Sequence, residues 1–207
     1  MKVALINASP RGNSSTSRFL LEQIKSCARD GCTFSEVGAN RESFADDQLQ
    51  VLREAEAWVF ANPIYIDSLP GHLIPLLMQL EAGQFAGHKV YALVNCGFFE
   101  SSHNRTAIRI YENWCKKSGN EWCGAAAIGG GGAIEHMHSV PLDKGPLSPV
   151  GKVLKRTADC IKSGSRMQNA FVSVGIPRFL YIICANYAWK KSAKHNGLKV
   201  KDMYHTP

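Results

Sequence analysis

The amino-terminal segment limits the possible folds more than any other part of the chain, because a buried strand, a hydroxyl-rich loop and a helix follow one another directly. Residues 3–8 are apolar apart from Asn7, residues 9–17 contain five Ser or Thr, and from residue 18 apolar side chains recur with helical spacing. The start of a helix offers free backbone N–H groups and a positive dipole end to an anion. We therefore predict a phosphate-binding loop, to which Arg11 adds a charge-assisted contact.

Strand-like and helix-like segments alternate along the first 162 residues. The predicted strands cover residues 2–8, 33–37, 57–61, 88–96 and 121–128, and the predicted helices cover residues 15–29, 46–56, 70–82, 105–118 and 149–162. Five strand–helix repeats predict an α/β fold: a doubly wound, five-stranded parallel sheet with right-handed crossovers and helices on both faces. In such sheets, ligands bind beyond the carboxyl ends of the strands.

Composition narrows the class of protein. The chain has 207 residues, is 45% hydrophobic and carries a net charge of +7, which suits one domain with a sizeable core and favours anionic ligands. Its seven cysteines are odd in number, and no two have the C-x-x-C spacing, which argues against zinc ribbons, iron–sulfur clusters and a secreted disulfide framework. We expect reduced thiols in a cytoplasmic protein, with neither a signal peptide nor a transmembrane helix.

The loops after the first, third, fourth and fifth strands are expected to meet at one edge of the sheet. The first loop lacks both G-x-x-x-x-G-K-[ST] and G-x-G-x-x-G, so it suits a monophosphate ester better than a nucleoside triphosphate or a dinucleotide. In the second loop, residues 62–71, Pro63 stiffens the backbone. Tyr65 either presents an aromatic face to a flat heterocycle or lies in the core of a rigid turn.

The other two loops leave more open. In residues 95–104, Gly97 allows close backbone approach, Phe98 and Phe99 either wall the site or are buried, and His103 either caps the next helix or faces the substrate. Four consecutive glycines, residues 129–132, let a ligand or partner backbone come close. His136, His138 and Glu135 suggest a metal, but their spacing does not suit a helical pair of ligands, and we predict no metal site.

Two of these loops together carry a family resemblance. Ser9-Pro-Arg followed by Asn13-Ser-Ser-Thr resembles the FMN phosphate loop of the flavodoxin-like NAD(P)H-dependent FMN reductases, and Pro63-Ile-Tyr followed by Pro70-Gly resembles their isoalloxazine loop. The resemblance covers about residues 1–162 and implies a flavodoxin-like fold, non-covalent FMN and a homodimer. By position it implies that FMN is held by Ser9, Arg11, Asn13, Ser14, Ser15, Thr16, Pro63, Ile64, Tyr65, Ser68, Asn95, Gly97 and Phe98.

The resemblance also implies an activity. The protein is expected to take a hydride from NAD(P)H and to reduce a small-molecule acceptor, namely a quinone, a nitro or azo compound, or a flavin, with no catalytic side chain. The alternative is a flavodoxin-type electron carrier without NAD(P)H activity. Such carriers are typically acidic, so the net charge of +7 favours the reductase. A third possibility is a flavin-free scaffold.

Residues 163–207 form a basic extension that we predict to be helical. Residues 177–191 place Leu180, Ile183, Cys184 and Tyr187 on one helix face, and lysines follow. This segment either packs on the same domain or on a dimer partner, with its lysines solvated, or it contacts an anionic membrane surface or nucleic acid. We expect the packed helix and no nucleic-acid partner.

Overall fold

The computed structural model describes residues 1–204 and contains six strands and seven α-helices in that range. The strands are β1 (Lys2–Asn7), β2 (Thr33–Gly38), β3 (Ala57–Pro63), β4 (Lys89–Asn95), β5 (Glu121–Gly129) and β6 (Ala170–Ser173). The helices are α1 (Thr16–Cys27), α2 (Asp46–Glu54), α3 (Leu73–Ala82), α4 (Arg105–Ser118), α5 (Gly131–Glu135), α6 (Ser148–Ser163) and α7 (Arg178–His195).

All strands pair in parallel in the order β2-β1-β3-β4-β5-β6, which confirms the predicted parallel sheet with helices on both faces. The predicted number of five strands is wrong, because β6 adds a sixth. Its four residues pair with β5 from Ala126↔Ala170 to Gly129↔Ser173. A half-exposed edge strand this short has no clear alternation of its own, so pairing with β5 defines it.

Burial on both faces explains the strongest sequence patterns. Strands β1, β3 and β4 are almost wholly buried, as their continuous apolar runs predict. On one face of the sheet, Trp58 stacks on Trp114 with ring centroids 6.2 Å apart, and the two indole N–H groups donate to the carbonyls of Leu52 and Leu77, both at 2.9 Å. This aromatic cluster joins β3 to α2, α3 and α4.

The chain divides into two compact units, residues 1–175 and residues 176–207. The first contains the whole sheet, including residues 163–175, which the sequence assigned to the extension. Of the second unit, the structure describes α7 and a short 3-10 helix, Val200–Tyr204. No helix in residues 1–204 combines the length and the apolar character needed to cross a membrane.

Candidate functional site

The loop between β1 and α1 is built around the helix start. Ser15 is the N-cap of α1: its hydroxyl accepts the Arg18 backbone N–H at 3.2 Å and donates to the Gly12 carbonyl at 2.7 Å. Gly12 has a φ of +57°, a left-handed conformation that glycine adopts without strain. The loop therefore turns sharply and aims the first turn of α1 at the carboxyl edge of the sheet.

Several of the predicted phosphate ligands are already hydrogen-bonded within the protein. The buried Ser9 hydroxyl accepts the Arg11 backbone N–H at 3.3 Å, Thr16 Oγ1 donates to the Gly131 carbonyl at 3.2 Å, and the exposed Ser14 hydroxyl donates to the Arg11 carbonyl at 3.3 Å. The backbone N–H groups of Thr16 and Ser17 lie in the first helical turn, where no carbonyl within the helix can accept them. An anion at this loop would be bound chiefly by backbone N–H groups.

Arg11 is the cation of this loop, and it is paired with a carboxylate. Its Nη1 donates to Glu135 Oε2 at 2.9 Å, its Nη2 donates to Glu135 Oε1, and Nη2 also donates to the Ser14 carbonyl at 3.0 Å. Hydrogen bonding and the positive charge of Arg11 lower the pKa of the Glu135 carboxyl, so Glu135 is ionised at neutral pH. The residue that the sequence raised as a metal candidate is thus an ion-pair partner.

The ion pair also tests whether the loop suits a phosphate. A guanidinium that donates two N–H groups to a carboxylate has the geometry that bidentate phosphate binding requires. Glu135 therefore stands in for an oxyanion beside the start of α1, and the donor chemistry fits the phosphate of FMN. A phosphate that binds Arg11 must either displace Glu135 or share the guanidinium with it. The sequence gave no means of identifying Glu135 as a competitor.

The loop after β3 forms a tight turn with an exposed aromatic side chain. Tyr65 and Ser68 exchange backbone hydrogen bonds at 3.1 and 3.2 Å, and the buried Ile64 donates its N–H to the Asn95 carbonyl at 2.9 Å. The Tyr65 side chain is 50% exposed, which excludes the interpretation that it lies in the core. Pro63 is the last residue of β3 and fixes the direction in which this turn leaves the sheet.

The tip of this turn was not singled out from the sequence. Ile66 and Asp67 have φ angles of +50° and +57°, and the Ile66 side chain is fully exposed. A left-handed conformation is a genuine outlier for a β-branched residue and costs about 1–3 kcal/mol. Such strain is found where the surrounding structure enforces it, often at ligand sites, so Ile66 joins the candidate residues.

The loop after β4 contributes both a structural amide and an exposed ring. Asn95 is buried and donates to the Ser17 hydroxyl and to the Asn62 carbonyl, both at 3.1 Å, so its amide joins strand ends to α1. Gly97 and Phe98 are exposed, and the Phe98 ring stacks on the His103 imidazole with centroids 4.5 Å apart. Phe98 therefore faces solvent at the sheet edge.

Three of the four glycines between residues 129 and 132, at the junction of β5 and α5, accommodate the protein's own backbone. A Cβ on Gly129 would lie 2.1 Å from the Phe99 carbonyl oxygen, the Gly130 N–H donates to the Phe98 carbonyl at 2.6 Å, and the Gly131 N–H donates to the Cys96 carbonyl at 2.8 Å. The close approach that the sequence predicts for a ligand or partner is thus made by the neighbouring loop. Residues 1–204 contain no group of three His, Cys, Asp or Glu side chains suited to a metal.

Hydrogen bonds join all four loops at the carboxyl edge of the sheet. The Arg11–Glu135 pair joins the first loop to α5, and the N–H groups of Gly130 and Gly131 at the start of α5 donate to the loop after β4. The loop after β4 is joined to the turn after β3, because His103 Nδ1 lies 2.8 Å from Asp67 Oδ1. One edge therefore presents the start of α1, with its free backbone N–H groups, together with two exposed aromatic rings, Tyr65 and Phe98.

This architecture is known from solved structures. The fold is flavodoxin-like. An apo NADH:FMN oxidoreductase aligns with a TM-score of 0.62 at 18% identity, over 79% of this chain and 89% of that one. A flavodoxin from Streptococcus pneumoniae aligns with a TM-score of 0.55 at 14% identity, over 79% of this chain and 99% of that one. A WrbA-like flavodoxin from Agrobacterium tumefaciens aligns with a TM-score of 0.51 at 13% identity, over 80% of this chain and 98% of that one.

No family model and no curated protein sequence matches this chain. At identities below one fifth, the likeness to solved structures establishes the flavodoxin-like fold and nothing finer. The roles of individual site residues therefore rest on the geometry of this chain.

A polar cavity of about 390 Å³ lies on the β2 side of the loop between β1 and α1, and sequence reasoning gave no indication of it. Arg18 and Glu36 face each other there at 2.6 Å, and Lys25 also contacts Glu36 at 2.7 Å. The two cations lower the pKa of the Glu36 carboxyl by hydrogen bonding. The cavity is lined by Asn7, Gly12, Asn13, Arg18, Glu36, Val37, Gly38 and Asn40.

Proposed function

We propose that this protein is an FMN-dependent oxidoreductase that takes a hydride from NAD(P)H and reduces a quinone, a nitro or azo compound, or a flavin. The observation that supports this best is the convergence at one sheet edge of an anion-binding helix start with the exposed Tyr65 and Phe98 rings. FMN has the matching parts: a terminal phosphate and a flat heterocycle. When bound, it supplies the two-electron chemistry that side chains lack.

The residues divide into those that bind and those that position. In the proposal, backbone N–H groups at the start of α1 and the Arg11 guanidinium hold the phosphate, while Tyr65 and Phe98 contact the ring system. Asn95 and Ser15 position these groups through the hydrogen bonds described above. No side chain is assigned as an acid or base, and exposed backbone near Gly97 stabilises negative charge on the ring.

Charge supports a pyridine nucleotide as the electron donor. The chain has 24 Lys or Arg against 17 Asp or Glu, and residues 1–175 have 18 against 16, so both the whole chain and this unit carry the opposite sign to NAD(P)H. We further propose that the protein acts in the cytoplasm as a homodimer whose partner helps to close the site. The open position of Tyr65 and the fully exposed Ile66 leave room for such a contact.

An anaerobic absorbance titration tests the proposal. The purified protein is incubated with FMN, passed through a desalting column and scanned for flavin bands near roughly 375 and 450 nm. NADPH or NADH is then added in the absence of oxygen. Rapid bleaching is the expected result, and riboflavin, which lacks the phosphate, serves as the matched ligand control and should be retained less well.

The competing function is electron transfer by a flavodoxin-type carrier. The likeness to a flavodoxin, with a TM-score of 0.55, supports this alternative at the level of the fold. The same titration separates the two functions. A retained flavin that neither NADPH nor NADH reduces, but that dithionite does reduce, indicates the carrier. A protein that retains no FMN would contradict both functions and leave the flavin-free scaffold.

A further inference from the structure

Helix α7 exposes an unusual amount of apolar surface. Of its 18 residues, only Tyr181 and Ala193 are buried. The exposed side chains include Phe179 at 67%, Ile183 at 59%, Tyr187 at 68% and Trp189 at 67%. Exposed apolar patches of this extent mark interaction surfaces in soluble proteins, because large apolar side chains left in water forgo the free energy of burial.

The exposed apolar residues continue into a row of lysines on the same side of the helix. Phe179, Ile183 and Tyr187 are spaced four residues apart and therefore lie one above the other. Lys190 and Lys194 follow Tyr187 by three and seven residues, so they extend the same row toward the carboxyl end. One side of α7 is thus apolar in its first half and cationic in its second.

The positive charge of the whole chain is concentrated in this unit. Residues 176–207 contain six Lys or Arg and one Asp, which gives five of the seven net positive charges of the protein. Within the described part of the chain, Lys190, Lys191 and Lys194 make no ion pair with a carboxylate. These cations are therefore available to an anionic surface.

We infer that α7 docks on an anionic lipid surface. Such a surface satisfies both halves of this side of the helix, because Phe179, Ile183 and Tyr187 enter the boundary between headgroups and acyl chains while Lys190 and Lys194 contact lipid phosphates. Nucleic acid would neutralise the lysines but leave the apolar side chains in water. A second copy of the chain would bring together two units that each carry a charge of +5.

The inference is independent of the flavin chemistry, and its test uses neither FMN nor enzymatic activity. The full-length protein is sedimented with vesicles of phosphatidylcholine and with vesicles in which a third of the lipid is phosphatidylglycerol. We expect sedimentation with the anionic vesicles only, and weaker binding as salt is raised, because screening reduces the attraction of exposed charges.

Two pairs of variants separate the apolar from the cationic contribution. Replacing Phe179 and Ile183 by Ser should abolish binding, whereas Met78→Ser removes an exposed apolar side chain of α3 and should leave binding unchanged. Replacing Lys190 and Lys194 by Gln should weaken binding by about thirtyfold, which corresponds to about 1 kcal/mol for each of the two lysines. The matched control replaces Lys152 and Lys155, two exposed lysines of α6.

Far-UV circular dichroism and gel filtration of each variant verify the fold and the oligomeric state. Failure of the wild-type protein to bind anionic vesicles overturns the inference. Binding by both α7 variants that is as tight as that of the wild type overturns it too. A dimer that dissociates in the Phe179 and Ile183 variant, without vesicle binding by the wild type, would instead assign the surface to a second copy. Binding to double-stranded DNA but not to vesicles would assign it to nucleic acid.

Discussion

Large apolar side chains occur in two opposite environments in this protein. They are buried in the aromatic cluster around Trp58 and exposed on helix α7. Trp58 is fully buried between β3 and its neighbouring helices, while Trp189 of α7 is 67% exposed. In α4, the apolar residues Ile108, Tyr111 and Cys115 follow helical spacing on one face, and all three are buried. In α7, large apolar side chains spread around more than half of the circumference.

The difference shows that apolar content alone does not place a helix in a core. An apolar stripe confined to one face can be covered by one neighbouring layer, as the sheet covers α4. A helix with apolar side chains on several sides needs partners on several sides, and the described residues of its own unit comprise only one other short helix, Val200–Tyr204. The following predictions test how far the two regions differ.

The largest expected difference is between Trp58→Ala and Trp189→Ala. The first leaves a cavity among Phe60, His88 and Trp114 and removes the bond to the Leu52 carbonyl, so we expect the free energy of unfolding to fall by about 3–5 kcal/mol. The second should change it by less than about 0.5 kcal/mol. Urea unfolding followed by circular dichroism measures both, and equal losses would show that α7 is part of the same core.

Tight packing at the site edge gives the next largest effect. In Gly129→Ala, the new methyl group would overlap the Phe99 carbonyl and crowd the Ser101 backbone N–H, 2.1 and 2.8 Å from its position. We expect a loss of about 1–3 kcal/mol in the free energy of unfolding. Gly71→Ala is the control, because nothing lies within 4 Å of its Cβ and its φ is not positive. If both variants are equally stable, the close approach at Gly129 does not determine loop packing.

Variants of the Arg11–Glu135 pair test whether the unit of residues 1–175 contains the proposed flavin site. Arg11→Ala should raise the Kd for FMN about tenfold, or about 1.4 kcal/mol, and leave the Kd for riboflavin unchanged, because only FMN has a phosphate. Glu135→Gln removes the competing charge and should lower the Kd for FMN by about threefold to tenfold. Fluorescence quenching of each flavin gives these constants.

The two variants of that pair can also disagree with the competition model. If Glu135→Gln weakens FMN binding as Arg11→Ala does, the carboxylate positions the guanidinium and does not compete with the phosphate. Equal effects on FMN and riboflavin would place the phosphate away from Arg11. Either result changes the role of Glu135 and leaves the fold assignment untouched.

The smallest expected effect is the pH dependence of the free energy of unfolding, which His88 influences from the core of residues 1–175. His88 stacks on Trp58 with centroids 4.2 Å apart, and burial lowers the pKa of its imidazole, partly offset by a hydrogen bond from Nδ1 to the Ala55 carbonyl at 2.7 Å. Below about pH 6.5 the unfolded chain therefore binds a proton that the folded protein resists, so acid destabilises the fold. His88→Gln should flatten the pH dependence of unfolding between about pH 7 and pH 5.5. An unchanged slope would mean that this histidine titrates equally in both states.

The sequence by itself determined the parallel α/β sheet, because buried strands lack alternation and helices repeat their apolar spacing, and both patterns are local. It also identified the first loop as the start of a helix, since the N-cap Ser15 and the glycine turn at Gly12 depend on neighbouring residues. The four glycines were recognised as points of close approach, although their partner was not.

Only the tertiary structure decided which groups meet. The sixth strand exists because β5 offers a free edge, and Glu135 reaches Arg11 across 124 residues of chain. The turn that contains the left-handed Ile66 and Asp67 is joined to the loop after β4 through Asp67 and His103, which are 36 residues apart. These features depend on contacts between residues distant in the chain, and no local pattern of residue types specifies them.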